Sequence, residues 1–170
     1  AQTSVILDGK SPDEPHLFSG VTGTPRESAI TSEAYSTGKG GDINITTPLL
    51  QLKNESLITA ATSREGDAGN IELNITDLDV LSGSTINSNT FGDGDGGGID
   101  INASGAVHIS GAVANDDIDN PWVESGIVTN SYSSGDGGNI NITASELTIS
   151  DRGVVQVNLG DDPTYLQPDP

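Results

Sequence analysis

The sequence predicts an all-β chain, a right-handed parallel β-helix of about 28 residues per coil and roughly four to five coils. Three observations carry that expectation. A glycine-rich motif recurs along the chain, as GKGGDINI, GDAGNIEL, GDGGGIDI and GDGGNINI. Short apolar runs alternate with period two, which reads as half-buried strand. No stretch sustains the 3.6-residue period of an amphipathic helix.

The elements follow in order. Residues 5–7 match the second strand of later units, so the first coil is partial and runs to residue 37, with residues 8–27 (DGKSPDEPHLFSGVTGTPRE) as an excursion. Full units start at Gly38, Gly66, Gly94 and Gly135. The first three starts are 28 residues apart and the next step is 41, which predicts a 13-residue insertion in the third unit, VANDDIDNPWVES at residues 113–125. Both excursions are expected at one corner, between the second and third strands. A single β-helical domain is thus expected over 1–160, and residues 161–170 (DDPTYLQPDP) read as a flexible tail. Neither end carries an amphipathic cap, so the chain reads as a segment of a longer solenoid.

Each unit is expected to hold three short strands, at 43–45, 50–52 and 58–60 in the first. Ile43, Ile71, Ile99 and Ile140 fall in one inward row, and Ile30, Ile58, Ile86, Ile127 and Val155 in another. Leu50 and Leu52 match Leu78 and Val80, then Leu147 and Ile149. Asn44, Glu72, Asp100 and Asn141 form an outward row, and Tyr35, Phe91 and Tyr132 share a third alignment with Ser63. The recurring glycines are therefore corners, where positive φ and close backbone approach are expected.

Composition alone is ambiguous. An apolar share of 32% and a formal charge of −19 also suit a disordered chain. A disordered chain, however, has no reason to hold isoleucine in register four times. The balance of 25 acids against 6 basic residues argues against nucleic acid, which needs clustered Lys and Arg, and equally against anionic membranes. With no cysteine, disulfides and thiolate metal sites are excluded. No apolar run approaches the roughly 20 residues of a membrane span. The amino-terminal AQTSVILDGK lacks the features of a secretion signal, which is expected to have been removed or to lie on a longer parent chain.

The stretches GKGGDINITTPLLQL, GDAGNIELNITDLDVLSGSTINSNTFGDG and GDGGNINITASELTIS resemble the degenerate repeats of cyanobacterial filamentous-haemagglutinin-like exoproteins, the passengers of two-partner secretion. The resemblance covers residues 28–160 and, more weakly, 1–27. It implies a right-handed β-helix, export across an outer membrane, an extracellular or cell-surface location, and a role in adhesion or surface structure. The family's secretion domain is not evident in the chain.

Candidate site residues are few. Trp122, the only tryptophan, lies in the insertion among acids and could stack on a sugar ring. Asp116, Asp117, Asp119 and Glu124 surround it, and the three aspartates are the candidate calcium ligands through their hard oxygens. Glycans or cell-surface components are the expected partners. The alternative is a polysaccharide lyase or hydrolase fragment; the basic residues are scattered between units, and a carboxylate pair is expected by chance in so acidic a chain. A further alternative is a passive stalk. The GxGxxG at 92–97 is a repeat corner with no helix after it, so it does not read as a nucleotide site. His108 should point outward. Rows near Thr59, Asn87 and Thr129, read as outward, vary too much for an ice-binding array. Phe91 and Tyr132 are expected to stack at a corner.

Overall fold

The structure, a computed structural model, describes residues 4–9, 28–114 and 121–159. The expected flexible tail, most of the first excursion and residues 115–120 lie outside them. The described residues are all-β, and no helix occurs among them. The strands are β1 (Ser4–Asp8), β2 (Ala29–Thr31), β3 (Ile43–Lys53), β4 (Leu57–Thr59), β5 (Ile71–Leu81), β6 (Thr85–Asn87), β7 (Ile99–Ala103), β8 (Ala106–Ser110), β9 (Ala112–Ala114), β10 (Trp122–Glu124), β11 (Gly126–Ser131), β12 (Ile140–Thr143), β13 (Glu146–Ser150) and β14 (Val154–Leu159).

Two parallel sheets account for most of them. One runs β1, β3, β5, β7, β12, with β8 pairing both β5 and β13; the other runs β14, β11, β6, β4, β2. The register follows the sequence repeat: Ile43 opposes Ile71, Ile71 opposes Ile99, and Ile99 opposes Ile140. In the second sheet Ile30, Ile58, Ile86, Ile127 and Val155 pair in succession. Val5 and Leu7 pair with Leu50 and Leu52. Purely parallel sheets need apolar cover, and the paired rows provide it by converging on one core.

Two expectations about the strands change. In the first two units the anticipated first and second strands run together as β3 and β5. Pairing continues through Thr46 and Thr47 and resumes at Leu49; the step without a pair is Pro48, which has no N–H to donate. The 13-residue insertion is also divided. The offset between partners is 28 at Ile75 and Ala103 but 29 at Leu78 and Val107. It becomes 41 at Ile86 and Ile127. One extra residue therefore sits at the turn of Ser104 and Gly105, and twelve at the corner that carries β9 and β10. The single-residue slip hides Val107 and Ile109 from a fixed 28-residue alignment, yet both are fully buried members of the Leu78 and Val80 rows.

Leu50, Leu52, Ile58, Ile71, Leu73, Leu78, Ile86, Ile99, Ile101, Ile109 and Ile127 are essentially inaccessible. In the last unit the same rows are half-open: Leu147, Ile149, Val155 and Val157 are 37–47% exposed, because β13 and β14 have a neighbour on one side only.

Part of the interior is polar. Thr59 and Thr129 are buried rather than outward, and they do not share a row, since Thr59 pairs with Asn87 and Asn87 with Val128. The Thr129 hydroxyl donates to the carbonyl of Gly97 or Ser88, 2.8 and 2.9 Å away, and accepts from the N–H of Gly138 at 3.2 Å. The Thr62 hydroxyl reaches the Gly66 carbonyl at 2.6 Å. These bonds tie the glycine corners to the second sheet and satisfy groups whose burial would otherwise cost about 1–3 kcal/mol each.

The recurring glycines serve one of the two purposes expected of them. None has positive φ; among glycines that conformation occurs at Gly9, Gly83 and Gly111, at the opposite corner, together with Asn54, Glu55, Ser82, Asp151 and Arg152. What the recurring glycines provide is proximity. A Cβ at Gly97 would lie 2.0 Å from the carbonyl oxygen of Gly69, and one at Gly138 would lie 2.0 Å from that of Gly97. Gly97→Ala is therefore expected to lower stability by about 1–3 kcal/mol, whereas Gly38→Ala, with nothing within 4 Å, should leave the melting midpoint unchanged. Thermal unfolding by circular dichroism compares them, and equal midpoints would refute the close-approach account. Ile99→Asp places a charge in the centre of the core and is expected to abolish the cooperative transition altogether; an unaltered melt would mean the inward row is misassigned.

Candidate functional site

The corner between the first and second sheets is built from left-handed backbone and buried serine. Ser56, Ser84 and Ser125 are buried there. The Ser56 hydroxyl donates to the Lys53 carbonyl at 2.6 Å, and the Ser125 hydroxyl to the Ser110 carbonyl at 2.7 Å while accepting from the N–H of Gly83 at 2.9 Å. The Ser28 hydroxyl contacts the Gly9 carbonyl at 3.1 Å. Serine thus closes each corner on the next. The chain leaves after Gly9 in one unit and after Gly111 in another, and returns at Ser28 and Ser125, so both excursions use this corner.

The second excursion begins and ends as an antiparallel ribbon. Trp122 pairs with Ala114, Val123 with Val113, and Glu124 with Ala112. Alternation along β10 puts Trp122 and Glu124 on one face and Val123 on the other. Val113 and Val123 lie against Gly83, where an added Cβ would come within 3.0 Å of the Val123 carbonyl. Trp122 and Glu124 meet Arg152. The guanidinium carbon lies 5.2 Å from the Trp122 ring centroid, and its Nε is 3.4 Å from a Glu124 carboxylate oxygen. Arg152 sits in left-handed backbone at the corner of the following unit, where the Gly111 N–H donates to the Asp151 carbonyl at 3.0 Å. The ribbon is therefore fastened to the unit before it and the unit after it. Arg152 covers part of the indole and Trp122 remains 38% exposed.

Of the sequence-derived candidates, Trp122 and Glu124 come together. Asp116, Asp117 and Asp119, with the calcium proposal they carried, lie outside the described residues. Among the described residues no three acids or histidines are grouped so as to hold a metal ion. Arg152 was missed by the sequence reading, which counted it among scattered basic residues. A signal was available: Glu124 and Arg152 are 28 residues apart, the same offset as Gly126 and Val154.

Other candidates resolve as surface features. His108 projects between buried Val107 and Ile109, 3.9 Å from Asp79. Phe91 and Tyr132 stack with centroids 4.9 Å apart and planes within 5°. Beside them Asp93 is held below the ordinary carboxylate range by hydrogen bonds from Ser133 and then Ser134. Tyr35 is shifted the other way, its phenol raised chiefly by its hydrogen bond to Glu33.

The chain matches no family model, no curated protein and no solved structure. No helix among the described residues is long and apolar enough to cross a membrane.

Because Trp122 is the only tryptophan, its emission reports on this site directly. Arg152→Ala is expected to increase acrylamide quenching of that emission while shifting stability by less than about 1 kcal/mol. Unchanged quenching would mean that the guanidinium does not cover the ring.

Proposed function

We propose that the chain is a right-handed parallel β-helix of four to five coils with about 28 residues each, serving as a structural and adhesive segment of a secreted bacterial surface protein, with Trp122 as its carbohydrate contact. The 28-residue parallel register and the strong right-handed preference of parallel crossovers support the winding. The repeat pattern's resemblance to filamentous-haemagglutinin-like exoproteins supports export and surface location.

The observation that carries the adhesive role is the held indole. A ring on a free loop loses conformational entropy when it binds. Trp122 is already restrained by ribbon pairing, by Arg152 beneath it and by Glu124 holding Arg152. Preorganisation of this kind favours weak, repeated contacts with a neutral sugar face. Glu124 adds a hydrogen-bond acceptor beside the ring.

A glycan and polysaccharide panel, scored for binding and for product release with and without calcium, tests the reading. Binding without products is expected, weakened about tenfold or more by Trp122→Ala. Product release would overturn the adhesive reading in favour of a carbohydrate-active enzyme. Absence of binding would overturn it in favour of a passive stalk.

A further inference from the structure

A second surface, built from residues other than those of the ribbon, forms a shallow groove. It follows the bend between the two halves of β3 and β5 and continues across β7 to β12 as a shallow, largely open depression of about 480 Å³. Its walls carry the outward row Thr46, Asn74, Asn102 and Thr143, which the strand register places side by side in four successive units. Ile75 and Ala103, both nearly buried, form the floor.

Two features of the lining define an occupant. First, none of the ten lining residues is charged, in a chain whose formal charge is −19. An anionic ligand would be repelled by the surrounding field, and the lining itself carries no carboxylate for a cation, the Glu72 carboxylate at its edge already accepting from Asn74. Second, the two central polar groups are amides joined by a hydrogen bond across the strands. Asn102 Nδ2 donates to Asn74 Oδ1 at 3.3 Å, and Asn74 Nδ2 donates to Glu72 Oε1 at 2.9 Å. Each amide nitrogen keeps a second hydrogen for a ligand. The row of four residues repeats at the strand spacing of about 4.8 Å, so its positions span about 14 Å.

We infer that this groove binds an extended, uncharged, β-linked polysaccharide chain lying across the strands, one sugar ring per unit. Such a chain is straight and repeats at close to the strand spacing. It presents hydroxyls along its edges to the amides and C–H groups on its faces to Ile75 and Ala103. An α-linked glucan curves away from a straight row and leaves register after one or two rings. The inference rests on the carbohydrate-binding reading for its ligand class, but assigns a face that Trp122 does not touch.

Titration of the full chain with cellobiose, cellotetraose and maltotetraose, followed by the side-chain amide signals in two-dimensional NMR, tests it. Cellotetraose is expected to shift the Asn74 and Asn102 amide signals and to bind about tenfold more tightly than cellobiose or maltotetraose. Asn102→Ala should weaken it about tenfold with no change in melting midpoint, and Trp122→Ala should have no effect on it. Stationary amide signals at high cellotetraose, or equal binding of maltotetraose, would overturn the groove assignment. Cellotetraose affinity lost in Trp122→Ala and retained in Asn102→Ala would also overturn it, while leaving the carbohydrate reading at the ribbon intact. No binding of any glycan at either surface would overturn both.

Discussion

In the two large sheets, a strand's backbone can hydrogen-bond only to the residues that occupy the same place in the adjoining unit. That constraint forces like onto like. A side chain that is inward in one unit is inward in all, so Ile71 must meet Ile43 and Ile99, and each needs a comparable volume. The same rule governs the glycines. Backbone passes so close to backbone at the recurring corner that a Cβ at Gly97 would sit 2.0 Å from the Gly69 carbonyl. Nothing but glycine fits such a contact, and the requirement recurs at Gly69 and Gly138.

The two corners solve different problems. At the glycine corner the units approach closely, and its backbone is satisfied by the Thr62 hydroxyl four residues before Gly66 and by the Thr129 hydroxyl from another unit. At the opposite corner the chain reverses through left-handed residues, and buried serines close the turn. Closure there depends on one hydroxyl and a few backbone groups, so additional chain can be inserted as long as the serine returns to its place. The Trp122 ribbon exploits this. It departs after Gly111, returns at Ser125, and is then fixed by Gly83 on one side and Arg152 on the other. A rigid frame thereby holds an aromatic ring that the frame itself does not need.

The negative charge is not evenly spread. Asp67 accepts the Asp95 N–H and Asp95 accepts the Asp136 N–H, at 3.1 and 2.8 Å; Asp42 does the same for Asn70. Carboxylates at these two repeat positions satisfy backbone donors of the next unit, a charge-assisted use that offsets part of their mutual repulsion. Away from that corner the outer surface includes a strip without charge, the row from Thr46 to Thr143. Contrast between the two makes the neutral strip chemically distinct.

Much of the architecture was legible because each structural requirement recurs. The all-β class, the inward isoleucine rows, the outward Asn44, Glu72, Asp100, Asn141 row and the stacking of Phe91 on Tyr132 could all be read from spacing. A serine column at Ser28, Ser56, Ser84 and Ser125, buried at the last three, was readable by the same means and was overlooked, since serine is ordinarily a surface residue. Three things only the tertiary structure decided. The one-residue slip at Gly105 changes pairing partners without changing the apolar pattern, so period alone cannot locate it. Thr59 and Thr129 alternate like outward residues, and their burial depends on acceptors that other units contribute, the Asn87 side-chain oxygen for one and the Gly97 and Ser88 carbonyls for the other. Arg152 reaches Trp122 because a left-handed turn in one unit aims it at an insertion in another. Sequence periodicity determined which residues stack within a row. Contacts between rows, where the inserted ribbon and the corners meet, follow from how the backbone bends in three dimensions.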